Sequence, residues 1–225
     1  MKPDTYGDRC ETYLKTLCEE IGERPVGSDG NRAATRFFAD TVRSFGWDTE
    51  TPEFPAMDWE DGGAGLDAGD EGFDVLVSPY STGCVATAPL VCAETVGDLE
   101  ALECGGRILL LHGEIASEQI MPKSFVFYNP EHHQRIVHLL EERQPRAIVC
   151  ATGRNAALAG GVYPFPLFED GDFDIPSVYM TEEEGRRLMR HAGEAVTLRS
   201  VSRRIPGSAY NVIARRGRDG ARIVV

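Results

Sequence analysis

Four residues in one short stretch, Glu131, His132, His133 and His138, are of the types that hold metals or move protons. Zinc sites built on a helix draw ligands from positions i and i+4, which puts both on one side. His132 and His138 are six apart and His133 and His138 five apart, so a helix spreads them around its axis. The pattern His-Glu-x-x-His is absent, and solvated or partly packed histidines are the expected state. His112 beside Gly113-Glu114 sets an imidazole near a carboxylate at a strand end, the minimum for acid–base work. A lone pair of this kind is more often structural. Ser28, in Gly27-Ser28-Asp29-Gly30, and Ser208, in Gly207-Ser208-Ala209, lack the Gly-x-Ser-x-Gly elbow of a serine nucleophile. Gly62-Gly63, Gly105-Gly106 and Gly160-Gly161 lack nucleotide-loop spacing. The residues thus nominate no catalytic, cofactor-binding or metal-ligating set.

The elements that would carry these residues follow from periodicity. Residues 8–22 read as a helix with Tyr13, Leu14, Leu17, Cys18 and Ile21 on one face. A loop with Pro25, Gly27 and Gly30 follows. Ser28 or Asp29 caps a second helix that runs to about Phe45, where Gly46 supplies a left-handed end. Residues 47–59 look extended, with Pro52 and Pro55 suiting an edge strand. Residues 58–74 turn glycine-rich and acidic; they miss the calcium-hand register and read as a solvated boundary loop. Short β-branched runs then predict strands at 75–77, 89–92, 108–111, 147–150, 177–180 and 196–200. Asn129 as cap, followed by Pro130 at the first helical position, starts a helix with Ile136, Val137, Leu139 and Leu140 inward, and Thr181 with Glu182, Glu183 and Glu184 starts another as a capping box. Residues 153–174 form a long Gly/Pro/Phe loop. Strands are expected at 210–215 and 222–225, and the second is apolar without alternation, as in a strand buried on both faces. The sheet would thus begin where the sequence stops.

The formal net charge of −13 disfavours nucleic-acid or anionic-membrane partners. No apolar run reaches membrane-spanning length and the first residues lack an apolar signal core. Six scattered cysteines without a Cys-x-x-Cys pair read as reduced, mostly buried thiols of a cytoplasmic protein.

Five stretches together resemble the di-zinc aminopeptidase family, the superfamily of glutamate carboxypeptidase and the transferrin receptor ectodomain. Arg24-Pro25-Val26-Gly27-Ser28-Asp29-Gly30-Asn31 before an Ala/Phe-striped helix is similar to that family's start. Gly105-Gly106-Arg107-Ile108-Leu109-Leu110-Leu111 and Asp174-Ile175-Pro176-Ser177-Val178-Tyr179-Met180-Thr181 resemble the central strand and the end of an inserted protease-associated domain. Asn211-Val212-Ile213-Ala214 and Arg222-Ile223-Val224-Val225 resemble the return to the peptidase sheet. The resemblance implies an α/β fold: an incomplete aminopeptidase-type sheet lobe with an inserted β-rich, protease-associated-like domain flanked by helices. It divides the chain into 1–56, helices and first strand of the peptidase lobe; 57–202, the inserted domain; and 203–225, the return strands. It implies the N-terminal part of a zinc-dependent aminopeptidase acting on a peptide substrate. The family's zinc ligands, beginning with His-x-Asp after the strand that 222–225 resembles, would lie beyond Val225, so zinc belongs to the complete protein and none is expected on this chain. The alternative is a non-catalytic protein- or peptide-binding module of the same superfamily. An exposed sheet edge could pair with a second copy.

Overall fold

The computed structural model describes residues 5–153 and 164–217. The expected strand at 222–225 and part of the loop at 153–174 lie outside the described residues. The chain divides into two compact units, Met1–Asp58 with Ile205–Val225, and Trp59–Arg204.

In the first unit, α1 spans Tyr6–Lys15 and is opened by a capping box. The Thr5 hydroxyl accepts from the Asp8 N–H, while the Asp8 carboxylate accepts from the Thr5 N–H at 2.9 Å. The single helix expected over 8–22 differs here: Thr16–Glu20 is a π-helical turn, and the predicted apolar face contributes no buried residue. Helix α2, Asp29–Ser44, begins as expected, with the Ser28 hydroxyl accepting from the Asn31 N–H. Gly46 follows it at φ 80, the left-handed turn that a glycine adopts without a Cβ clash. Strand β1, Asp48–Glu50, pairs antiparallel with the strand Ile213–Arg215 near the other end of the chain.

The Trp59–Arg204 unit is organised around a sheet whose middle is parallel and buried on both faces. Strand β2, Glu53–Ala68, turns back on β3, Glu71–Phe73. This corrects the reading of 58–74 as a solvated loop. Leu66, Ala68 and Phe73 are buried, so the hairpin has an apolar face despite its acidic composition. Gly62 belongs to the strand for a steric reason: a Cβ there would sit 2.8 Å from the Val201 carbonyl oxygen of the neighbouring strand. Strands β4 (Leu76–Val77), β5 (Cys84–Ala93), β6 (Ile108–Leu111), β7 (Ala147–Thr152), β8 (Ser177–Thr181) and β9 (Ala195–Tyr210) follow, and Ile213–Arg215 is β10. The sheet order among the described residues is β3-β2-β9-β5-β6-β7-β8-β4. β5, β6, β7 and β8 run parallel to their neighbours; β9 and β4 flank them antiparallel. β9 runs unbroken through Pro206.

Alternation along β6 explains the layers. Leu109 and Leu111 point to one face, where they meet Leu99 of α3 (Val96–Ala101) and Ile136 and Leu140 of α4 (Glu131–Arg143). Ile108 and Leu110 point to the other, against Val149, Val178 and Leu188 of α5 (Glu182–Leu188). Burying one such side chain contributes about 1.5–3 kcal/mol. Every residue of β6 is fully buried, which is why that run shows no polar alternation.

Candidate functional site

Helix α4 owes its first-turn geometry to a stripe rather than to a side-chain cap. His133, Ile136, Val137 and Leu140 share its buried face at helical spacing, and His133 is 2% exposed. Asn129 does not cap the helix, contrary to the sequence reading; Pro130 holds that position. The Asn129 amide instead donates to the Pro122 and Lys123 carbonyls, at 3.3 and 3.2 Å. These bonds close a loop whose tip leaves Val126 and Phe127 84% and 89% exposed.

His132 lies one residue before His133 on the helix shoulder. Both rings reach the same carboxylate, Glu118, which follows the 3-10 turn Gly113–Ala116. Glu118 Oε1 lies 2.8 Å from His132 Nε2 and 3.2 Å from His133 Nε2. The two imidazoles meet edge to face at 4.3 Å between centroids. These ligand atoms lie within 4.8 Å of one another, the one such group of three metal-binding side chains among the described residues. Hydrogen bonds from His132, then from His133, hold the Glu118 carboxyl below its ordinary range despite some desolvation.

Whether this cluster fits zinc turns on one proton. The Met121 N–H donates to His133 Nδ1 at 3.2 Å. That nitrogen must present its lone pair, so the neutral ring carries its hydrogen on Nε2 and donates it to Glu118. A metal at Nε2 needs a lone pair there and a hydrogen on Nδ1, directed at another N–H. As arranged, the cluster presents zinc with His132 and Glu118, one short of the three protein ligands of a catalytic site. The residues do not fit. What the geometry can do is orient His132 through Glu118 and tie the 117–121 segment to α4.

Sequence spacing along α4 missed this convergence because the third member comes from another element. His138 stands apart, 4.0 Å from Glu142, and Glu131 is exposed outside the cluster. His112 precedes the 3-10 turn at its N-cap position. The six cysteines are free, but not mostly buried as expected: Cys104 and Cys150 are buried, Cys84 and Cys92 half-buried, and Cys10 and Cys18 exposed. Desolvation raises the Cys150 thiol far above its ordinary range, so it is inert.

A second imidazole sits between two carboxylates. His191 Nδ1 lies 2.8 Å from Glu194 and Nε2 3.1 Å from Glu71. Arg187 pairs with Glu71 and Glu184, its guanidinium 5.0 Å from the centroid of the Phe73 ring. These bonds, Glu194 first, raise the His191 pKa, and Arg187 and His191 lower that of Glu71. The group clips β3 to the segment after α5.

No protein-family model matches the chain, and no curated protein matches it. Solved structures do. The aminopeptidase of Aneurinibacillus sp. strain AM-1 superposes with a TM-score of 0.63 at 21% identity, over 93% of this chain and 48% of its own. A zinc aminopeptidase from Bacillus subtilis gives 0.58 at 16%, over 94% and 47%. The peptidase M28 precursor of Shewanella amazonensis SB2B gives 0.61 at 16%, over 89% and 48%. The chain therefore has an aminopeptidase-type α/β fold, and it spans about half the length of the solved structures it matches. No helix among the described residues is long and apolar enough to cross a membrane.

Proposed function

We propose that this chain is the N-terminal part of a zinc-dependent aminopeptidase, contributing frame rather than metal ligands. The supporting observation is the fold likeness to aminopeptidases across 93% of the chain. In this reading the zinc-holding residues lie outside these 225, since Glu118, His132 and His133 do not fit the metal, and no reaction step is assigned to the residues described. The Trp59–Arg204 unit is the protease-associated-like inserted domain, shaping the approach of a peptide substrate. The free thiols favour a cytoplasmic protein. The outer edge of the β1–β10 pair is a template for a second copy.

A non-catalytic peptide- or protein-binding module of the same fold is the second reading. The coding sequence after Val225 separates the two. A His-x-Asp there, with zinc-dependent release of N-terminal residues by the longer protein, supports the enzyme; a continuation without those ligands supports the binder. The 225-residue chain alone is expected to release no amino acid with or without zinc, and release would overturn the assignment of the ligands to a region beyond it.

A further inference from the structure

The first unit holds a concavity that the peptidase reading does not use. Helix α2 brings Arg32, Arg36 and Arg43 to one wall, at helical spacing. With Asp40, Thr51 and Tyr210 they line a cavity of about 200 Å³. Ala39, the one buried residue of α2, also lines it. In a chain of net charge −13, this wall carries three guanidinium groups against one carboxylate.

The three arginines are not equivalent. Arg32 is spent on structure: it donates to the Gly27 and Ser208 carbonyls and pairs with Asp29. Arg43 pairs with Asp40 and donates to the Thr49 hydroxyl at 2.7 Å. Arg36 has neither a hydrogen bond nor an ion pair among the described residues. Its neighbours are anchored, while its own fork of N–H donors, on an exposed side chain, is held by no protein group among the described residues. The two ion pairs cancel their charges, so the cavity keeps one net positive charge, that of Arg36. Thr51 and Tyr210 stand on the same lining.

We infer that this cavity binds a small oxyanion, a carboxylate or a phosphate, through Arg36. A planar guanidinium matches both groups with two parallel hydrogen bonds. The volume is below the range of pockets that enclose drug-sized ligands, which restricts the occupant to a small ion or the charged end of a larger molecule.

The test is calorimetric titration of the full 225-residue chain with inorganic phosphate and, separately, acetate, against sodium chloride at matched ionic strength. Saturable one-to-one binding of either anion above the chloride control is expected. Phosphate alone saturating identifies a phosphate site, and acetate alone a carboxylate site. Arg36→Gln is expected to weaken that binding at least tenfold. Arg135→Gln, which removes an exposed arginine paired with Glu100 in the other unit, is expected to leave it unchanged. If the first variant does not fold, Arg36→Lys keeps the charge but loses the fork and is expected to bind more weakly than the parent. Neither anion saturating, or parental affinity in a folded Arg36 variant, overturns the inference.

Discussion

The hydrogen on His133 decides what the Glu118 cluster is, and it can be observed. Nitrogen chemical shifts of His133 are expected to show Nδ1 without hydrogen and Nε2 with it at neutral pH. Added zinc is then expected to leave the melting temperature unchanged, because a ligand that binds the native state must raise it. A zinc-dependent rise that His132→Ala abolishes would show that the Met121 bond gives way to metal. His191 has the opposite character, since both of its nitrogens face carboxylates. Its folded pKa is raised, so its contribution is complete below the ordinary imidazole value of about 6.5 and fades as pH rises through the raised value. Glu71 is lowered, so its contribution is complete above about 4.3 and fades as pH falls through the lowered value. The clip is therefore strongest between those two values. Urea titrations across pH are expected to show parental stability declining on the alkaline side of that window, and His191→Gln flattening the decline. An unchanged slope in the variant would remove His191 from the account.

At the scale of elements, the buried parallel strands were the most legible part. Ile108–Leu111 reads as an unbroken apolar run and is β6 with those same bounds, since full burial leaves no room for polar alternation. The cap at Ser28 and the turn at Gly46 were legible for the same kind of reason: local chemistry fixes them. β2 and β9 were not. Their glycines and prolines signal loops in general, but Gly62 serves close approach to Val201, information held by the partner strand. Helix α3 is six residues long and was hidden by its brevity, although Thr95 and Asp98 form a capping box. Glu118 escaped because its partners are set by the tertiary fold. Close approach also governs α5. A Cβ on Gly185 would lie 2.3 Å from the Ala151 Cβ on β7. Gly185→Ala is expected to force helix and strand apart and to cost about 1–3 kcal/mol in chemical denaturation. A loss below that range would show that α5 shifts freely over the sheet.

The two units differ in what they bury. The Trp59–Arg204 unit owns both continuous apolar clusters, one on each face of the β5–β8 sheet. In the other unit, α1 buries no side chain and α2 buries Ala39 alone. Leu14, Phe38, Phe45 and Trp47 are exposed there. Local opening free energies follow such differences. Hydrogen exchange in dilute solution is expected to find amides of β6, β7 and β8 protected by orders of magnitude more than those of α1 and α2. Equal protection in a proven monomer would contradict a difference in cooperative stability between the units.

The Trp59–Arg204 unit also begins and ends on one spot. Glu60 and Arg203, one residue inside its two limits, form an ion pair at 2.7 Å on the adjacent strands β2 and β9. A segment whose ends meet behaves as a cassette. Its reading frame can be lifted out and expressed without leaving distant ends to be joined, and the host chain needs only a short turn to heal the gap.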